Sequence, residues 1–146
     1  MKRSIFILSI TTISLSVGGS GMMIKETIDE SSVSKDSSMN VDATMYCPSI
    51  SQCDSTPLIT AGMYRINPSN ASRHKWIAVS RDLLKKGGGN LNYGDFVRVD
   101  SAGHKDGVYR VVDTMNKRFK KRIDFLESIG TKIYKYENVK ITKIWK

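Results

Sequence analysis

Residues 107–126 read GVYRVVDTMNKRFKKRIDFL. Val108, Val111, Val112 and Ile123 are β-branched, and residues of that kind fit a pleated, half-buried surface. The stretch predicts strands over 107–113 and 122–126, joined by a basic segment that is either a loop or a helical turn. The same signal recurs outward from it. Upstream, 96–99 (FVRV) and 76–80 (WIAVS) are short strand-like runs. At 41–46, Val41, Ala43 and Met45 alternate with Asp42, Thr44 and Tyr46, the period of a strand with one face buried. Downstream, 139–144 (VKITKI) alternates again. Ser80 is placed to cap a short helix over 81–86 that Gly87-Gly88-Gly89 stops. Gly130 argues against a continuous helix over 127–136. Short strands at intervals of roughly 10–15 residues predict a mainly β chain closed as a small barrel, with short helices, rather than a parallel α/β sheet.

The chain has 146 residues, enough for one domain and appendages. Hydrophobic residues make up 40%, which suffices for one modest core and excludes a fully disordered chain. Lys and Arg number 23 against 14 Asp and Glu, a formal net charge of +9, so an anionic partner is expected: wall polymer, nucleic acid or membrane surface. Two cysteines exclude a disulfide scaffold and a four-cysteine zinc site. At the N-terminus, Lys2 and Arg3 precede an apolar run from Ile5 to Val17, followed by Gly18, Gly19, Ser20 and Gly21. A basic start, a short apolar core and small residues describe an export signal over 1–21; an uncleaved anchor, or a strand in a cytoplasmic protein, is the competing reading. Residues 25–40, KETIDESSVSKDSSMN, carry mainly Ser and charge and cannot bury enough apolar area to offset ordering. They make 22–40 a linker and 41–146 the domain.

Two acidic residues stand apart. Asp113 follows Val111-Val112, and Asp124 interrupts the apolar run Ile123-Phe125-Leu126. A carboxylate beside a buried strand is placed where desolvation raises its pKa, the property a general acid needs near neutral pH. Two such groups brought together are the minimal equipment for cleaving a glycosidic bond. The structural alternative is that Asp113 caps the turn at Thr114 and that Asp124 pairs with Arg122, Arg118 or Lys121.

Several segments, in order, resemble the three-aspartate (3D) domain family, related to membrane-bound lytic transglycosylase A. They are Ala43-Thr44-Met45-Tyr46, Gln52-Cys53-Asp54-Ser55-Thr56-Pro57, Ile59-Thr60-Ala61, Ile77-Ala78-Val79-Ser80, Tyr93-Gly94-Asp95-Phe96-Val97, Asp113-Thr114 and Arg122-Ile123-Asp124. The last two aspartates keep the family's spacing of eleven residues. Ser80 stands where the family's first aspartate is expected, and Met115-Asn116-Lys117-Arg118-Phe119 replaces a Gly-Gly segment. The resemblance implies a six-stranded double-psi β-barrel in which Asp124 is the catalytic general acid and base. Asp113 would orient the sugar or stabilise its positive charge. Thr60, Ser80, Thr114, Lys117 and Arg118 would contact substrate, with Asp82 or Asp54 as stand-ins for the absent carboxylate. It further implies that Asp113 and Asp124 lie within roughly 10 Å of each other, that Ser80 lines the same groove, and that Asp124 is the more buried, with Arg122 turned away from it.

Cys47 and Cys53 can form a disulfide in an exported chain if their Cα atoms come within about 7 Å. His74, in Arg73-His74-Lys75, looks solvated, and His104 sits at a hairpin tip. Neither marks a catalytic triad, and no spacing supports a metal or cofactor site. Trp76 and Tyr93 can stack on sugar rings, although core packing is the commoner role. Three functions compete. The first is a secreted peptidoglycan-cleaving enzyme, a lytic transglycosylase in the periplasm or outside the cell, acting as a monomer on glycan strands and facing anionic wall polymers. The second is a non-catalytic wall-binding or wall-loosening module of the same fold. The third is a basic nucleic-acid binder, which the export signal opposes.

Overall fold

The computed structural model describes residues 37–49, 51 and 56–145. Six strands form a closed barrel: β1 (Ser38–Tyr46), β2 (Trp76–Val79), β3 (Phe96–Asp100), β4 (Gly107–Thr114), β5 (Arg122–Leu126) and β6 (Tyr136–Trp145). Around the barrel they run β1-β5-β2-β4-β3-β6. β1 pairs with β5 and β2 with β4 in parallel; the other neighbours are antiparallel. This is the mainly β, six-stranded barrel that the sequence predicts. The export signal over 1–21 and most of the 22–40 linker lie outside the described residues. The strand that opens the domain begins at Ser38, earlier than the expected Val41, because Ser38, Met39 and Asn40 pair with Thr142, Ile141 and Lys140 of β6.

Alternation explains the core. Ile77 and Val79 of β2, Val97 and Val99 of β3, and Ile123 and Phe125 of β5 are each at most 1% exposed and fill the barrel. Closure leaves no sheet edge to protect. The expected helix over 81–86 is instead two 3₁₀ turns, Arg81–Leu83 and Lys85–Gly87, with Leu84 extended between them. Leu83 and Leu84 are both buried, and a regular helix would not seat these consecutive side chains against the same core. The glycines let the chain fold back on itself rather than ending a helix: a Cβ at Gly87 would lie 2.0 Å from the Arg81 carbonyl oxygen, and one at Gly89 2.1 Å from that of Leu83. Residues 114–121 form a loop, and 127–135 run irregularly through a turn at Gly130.

Glu127, just past β5, is 3% exposed and ties three segments together. Its carboxylate accepts from Tyr134 Oη at 2.6 Å and Ser72 Oγ at 2.7 Å, and pairs with Lys105 from the β3–β4 connection. Burial pushes its carboxyl up, but these donors and the Lys105 charge outweigh that and hold it below its ordinary value of 4.5. The same carboxylate helps raise Tyr109, whose burial is the larger cause, to about 12. Replacing one partner of a buried pair leaves the other uncompensated. Glu127→Gln is expected to destabilise the fold by about 3 kcal/mol in neutral urea denaturation. Because the folded-state value is depressed, this contribution is full above 4.5 and fades as pH falls through the lowered value. The gap between wild type and variant therefore narrows in acid; a gap unchanged at low pH would refute the assignment.

Candidate active site

Ala78 of β2 has a carboxylate on either side. Its Cα partner on β5 is Asp124, and its partner on β4 is Asp113. Two strand spacings of about 4.8 Å put the aspartate Cα atoms roughly 10 Å apart. The β4 register is what brings Asp113 there: Ile77 pairs with Val111 but Ala78 with Asp113, so Val112 is an extra residue. Without that bulge Val112 would stand beside Ala78; with it, Val111 and Val112 both stay buried and the carboxylate takes the place next to Ala78.

Both aspartates line one groove of about 700 Å³, with Ala78 between them on its wall. Thr60, Ala61, Thr114, Arg81, Arg118 and Phe119 also line it, as do Tyr46, Ile59 and Met63. The groove thus has carboxylates between the β1–β2 connection, which supplies Ile59 and Met63, and the basic loop after β4. Ile59 is 41% and Met63 82% exposed, so apolar surface borders the polar pair.

Asp124 is half-buried, and Thr44, its Cα partner on β1, donates its hydroxyl to Oδ1. Burial pushes its carboxyl above the ordinary 3.8; the Thr44 hydrogen bond and the Arg122 charge only partly oppose this. Arg122 is not bonded to Asp124. Its guanidinium reaches Asp42 at 3.6 Å and lies 5.0 Å from the Phe119 ring centre. Asp113 is half-buried as well and is held by its surroundings: Oδ1 accepts from Ala61 N at 2.9 Å and Thr114 N at 2.8 Å, and Tyr46 Oη is 3.4 Å from Oδ2. The turn-capping bond expected at Thr114 therefore exists beside the groove-facing role rather than instead of it.

The remaining sequence-predicted residues divide. Thr60 is 2% exposed, and its Oγ1 accepts from Tyr64 N at 3.0 Å, shaping the turn that presents Ala61 to Asp113. Thr114 donates to the Val79 carbonyl at 3.2 Å. Arg118 lines the groove, whereas Lys117 is exposed and outside its lining. Ser80 does not line the groove. It is fully buried, its Oγ accepts from Arg122 N at 3.0 Å and its N–H donates to the Arg122 carbonyl at 2.9 Å, so it ties the end of β2 to the start of β5. Nor does Ser80 cap a helix through its side chain. Asp82 accepts from Lys121 N at 3.0 Å and borders a different hollow, beside Met39 and Leu83, so it does not stand in for the absent carboxylate. Asp54 and Cys53 lie outside the described residues, and with them the expected disulfide; Cys47 is buried with its Sγ 3.4 Å from the Ser128 carbonyl. His74 is not a solvated side chain: it stacks on Trp76 at 4.1 Å and its Nε2 accepts from Asn67 N. Thr44, Tyr46, Ala78 and Arg81 were not legible as site residues. For Thr44 and Tyr46 the sequence signal is parity, since they occupy the outward positions of β1.

Gly62 fixes the turn against β4. Its N–H donates to the Val112 carbonyl at 2.9 Å, and a Cβ there would sit 2.6 Å from that oxygen.

Comparison with protein-family models and with curated proteins finds no match for this chain.

Two outcomes follow from the geometry. Gly62→Ala must push the 60–64 turn off β4, and overpacking of this kind costs about 1–3 kcal/mol. It should also withdraw Ala61 N from Asp113, visible as a selective shift of the Ala61 amide in an NMR spectrum; an unmoved Ala61 signal would contradict this. For Asp124 the folded-state value is raised, so its carboxylate lowers stability as pH climbs from the ordinary 3.8 through the raised value. Asp124→Asn keeps an acceptor for Thr44 and removes the buried charge. The variant should melt above the wild type at neutral pH, with the difference vanishing below 3.8. A lower melting temperature at neutral pH would show that the charge is not penalised.

Proposed function

We propose that this protein is an exported peptidoglycan-cleaving enzyme, most specifically a lytic transglycosylase. The observation that carries the reading is the pair Asp113 and Asp124 on either side of Ala78 in one groove, with burial raising the proton affinity of Asp124. The resemblance of the chain's ordered segments to the 3D domain family supports it, as does the sequence signature of an export signal.

In this reading a glycan strand lies in the groove with its scissile bond at Asp124. The protonated carboxyl gives its proton to the glycosidic oxygen, the bond to C1 breaks, and positive charge develops on the sugar ring. The carboxylate left behind takes the proton of the sugar's own 6-hydroxyl, whose oxygen closes on C1. The product is a 1,6-anhydro sugar, no water is consumed, and Asp124 ends protonated as it began. One group serves as acid and then base, which suits a raised pKa. Asp113, oriented by Ala61 N and Thr114 N, faces the developing charge, and Arg118 with Lys117 nearby suits the carboxylates of stem peptides.

The buried Ser80 favours a second reading. At the position where the resemblance expects a carboxylate, this chain has a hydroxyl committed to the Arg122 backbone. A non-catalytic module that holds wall glycans in the same groove needs no third carboxylate.

Incubation of purified protein with peptidoglycan, followed by mass spectrometry of the muropeptides, separates these. Anhydro ends are expected; reducing ends would mean a hydrolase, and no products with retained pelleting a binding module. Asp124→Asn should lower cleavage by about 100- to 10,000-fold while leaving pelleting unchanged. Undiminished turnover in that variant would remove Asp124 from the mechanism.

A further inference from the structure

Next to the groove lies a cationic shelf, of which Arg81 and Arg118 also line the groove. Arg81, Lys85 and Lys86 follow β2, and Lys117, Arg118, Lys120 and Lys121 precede β5; all are exposed. The two segments are stitched side by side. The Asp82 carboxylate accepts from Lys121 N at 3.0 Å, and Ser80 bonds the backbone of Arg122 through both its hydroxyl and its N–H. Asp82 is the one acidic residue in either segment. Burial acts to raise its carboxyl, but the Lys121 backbone, the Ser80 hydroxyl and the Lys120 charge lower it, so it is spent on holding the shelf together. Among the described residues, no acidic side chain forms an ion pair with any of these cations.

We infer that this shelf binds a flexible, linear phosphodiester polymer without nucleobases, a poly(alditol phosphate). Repeated cations on two adjoining segments match repeated anions on one strand better than they match a single carboxylate, and Lys binds phosphate as a point charge. The shelf's aromatic residue is Phe119, which lies beneath two guanidinium groups, Arg118 at 4.7 Å and Arg122 at 5.0 Å. Phe119 is only partly exposed and faces the groove, and Leu83 and Leu84 are buried, so the exposed residues of the two segments offer neither the stacking platform that single-stranded nucleic acid needs nor the apolar wedge that an interfacial membrane contact needs. The inference goes beyond the glycan-cleaving reading and stands without it.

The test is fluorescence anisotropy of a labelled poly(glycerol phosphate) oligomer titrated with the full chain at several salt concentrations. The shelf variant is Lys85→Gln, Lys86→Gln, Lys120→Gln and Lys121→Gln together. A control removes the same charge elsewhere, through Arg73→Gln, Arg98→Gln, Lys132→Gln and Lys135→Gln, all at exposed positions. The shelf variant should bind at least about tenfold more weakly, with a log–log salt slope shallower by about 3. The control should keep most of the affinity. Equal losses in both variants would mean that net charge alone attracts the polymer and would overturn the site. Tighter binding of a single-stranded oligonucleotide, or equal competition by phosphatidylglycerol vesicles, would overturn the assigned ligand. Asp124→Asn should leave polymer binding unchanged, so loss of glycan cleavage and loss of this site are separately visible.

Discussion

A four-residue strand, β2, holds the site together. It pairs parallel with β4 on one side and antiparallel with β5 on the other, so the two segments bearing the aspartates are fixed relative to each other through its backbone. Ile77 and Val79 point into the core and anchor it; Ala78, between them, is left beside the groove. A methyl group there leaves space between the flanking carboxylates that a larger side chain would fill. Ser80 then locks the strand's end to β5 through the backbone of Arg122. The site's geometry is thus a consequence of hydrogen-bond register, and the register is a consequence of which side chains must be inside.

That dependence explains what was legible. The strands expected over 76–80, 96–99, 107–113 and 122–126 are present to within a residue at each end, because β-branched runs and alternation are local signals. Asp113 and Asp124 showed as candidates for the same reason: each is an acid beside an apolar run. Their meeting across Ala78 was not readable from alternation, because it depends on the Val112 bulge and on pairings between residues far apart in the chain. Ser38, Met39 and Asn40 read as linker because they are not an apolar run, yet their backbone groups pair with β6. The segment 81–89 looked like a helix with a glycine stop, whereas Leu83 and Leu84 are both drawn inward and the glycines permit a close backbone approach. Ser80 was expected at the groove and is instead a tie between strands.

Two polar investments of opposite sign sit on neighbouring parts of the chain. Glu127 is buried but surrounded by donors, and its charge is stabilised. Asp124, three residues earlier, accepts a hydrogen bond from the Thr44 hydroxyl and is left with its charge penalised by burial. A fold optimised only for stability would place a neutral residue there. Strained or penalised groups gather where function needs them, and a carboxyl whose proton affinity burial raises, beside a second carboxylate, suits proton transfer to a leaving group. The fold supplies the cost of Asp124 from a well-packed barrel around it.

The most direct measurement is an NMR titration of the Asp124 side-chain carboxyl in the intact protein, followed by its ¹³C shift against pH. The expected midpoint lies above the ordinary 3.8, reflecting burial beside β1 and β2. A midpoint at or below 3.8 would mean that Arg122 or solvent satisfies the carboxylate, and Asp124 would then have no physical basis as a general acid.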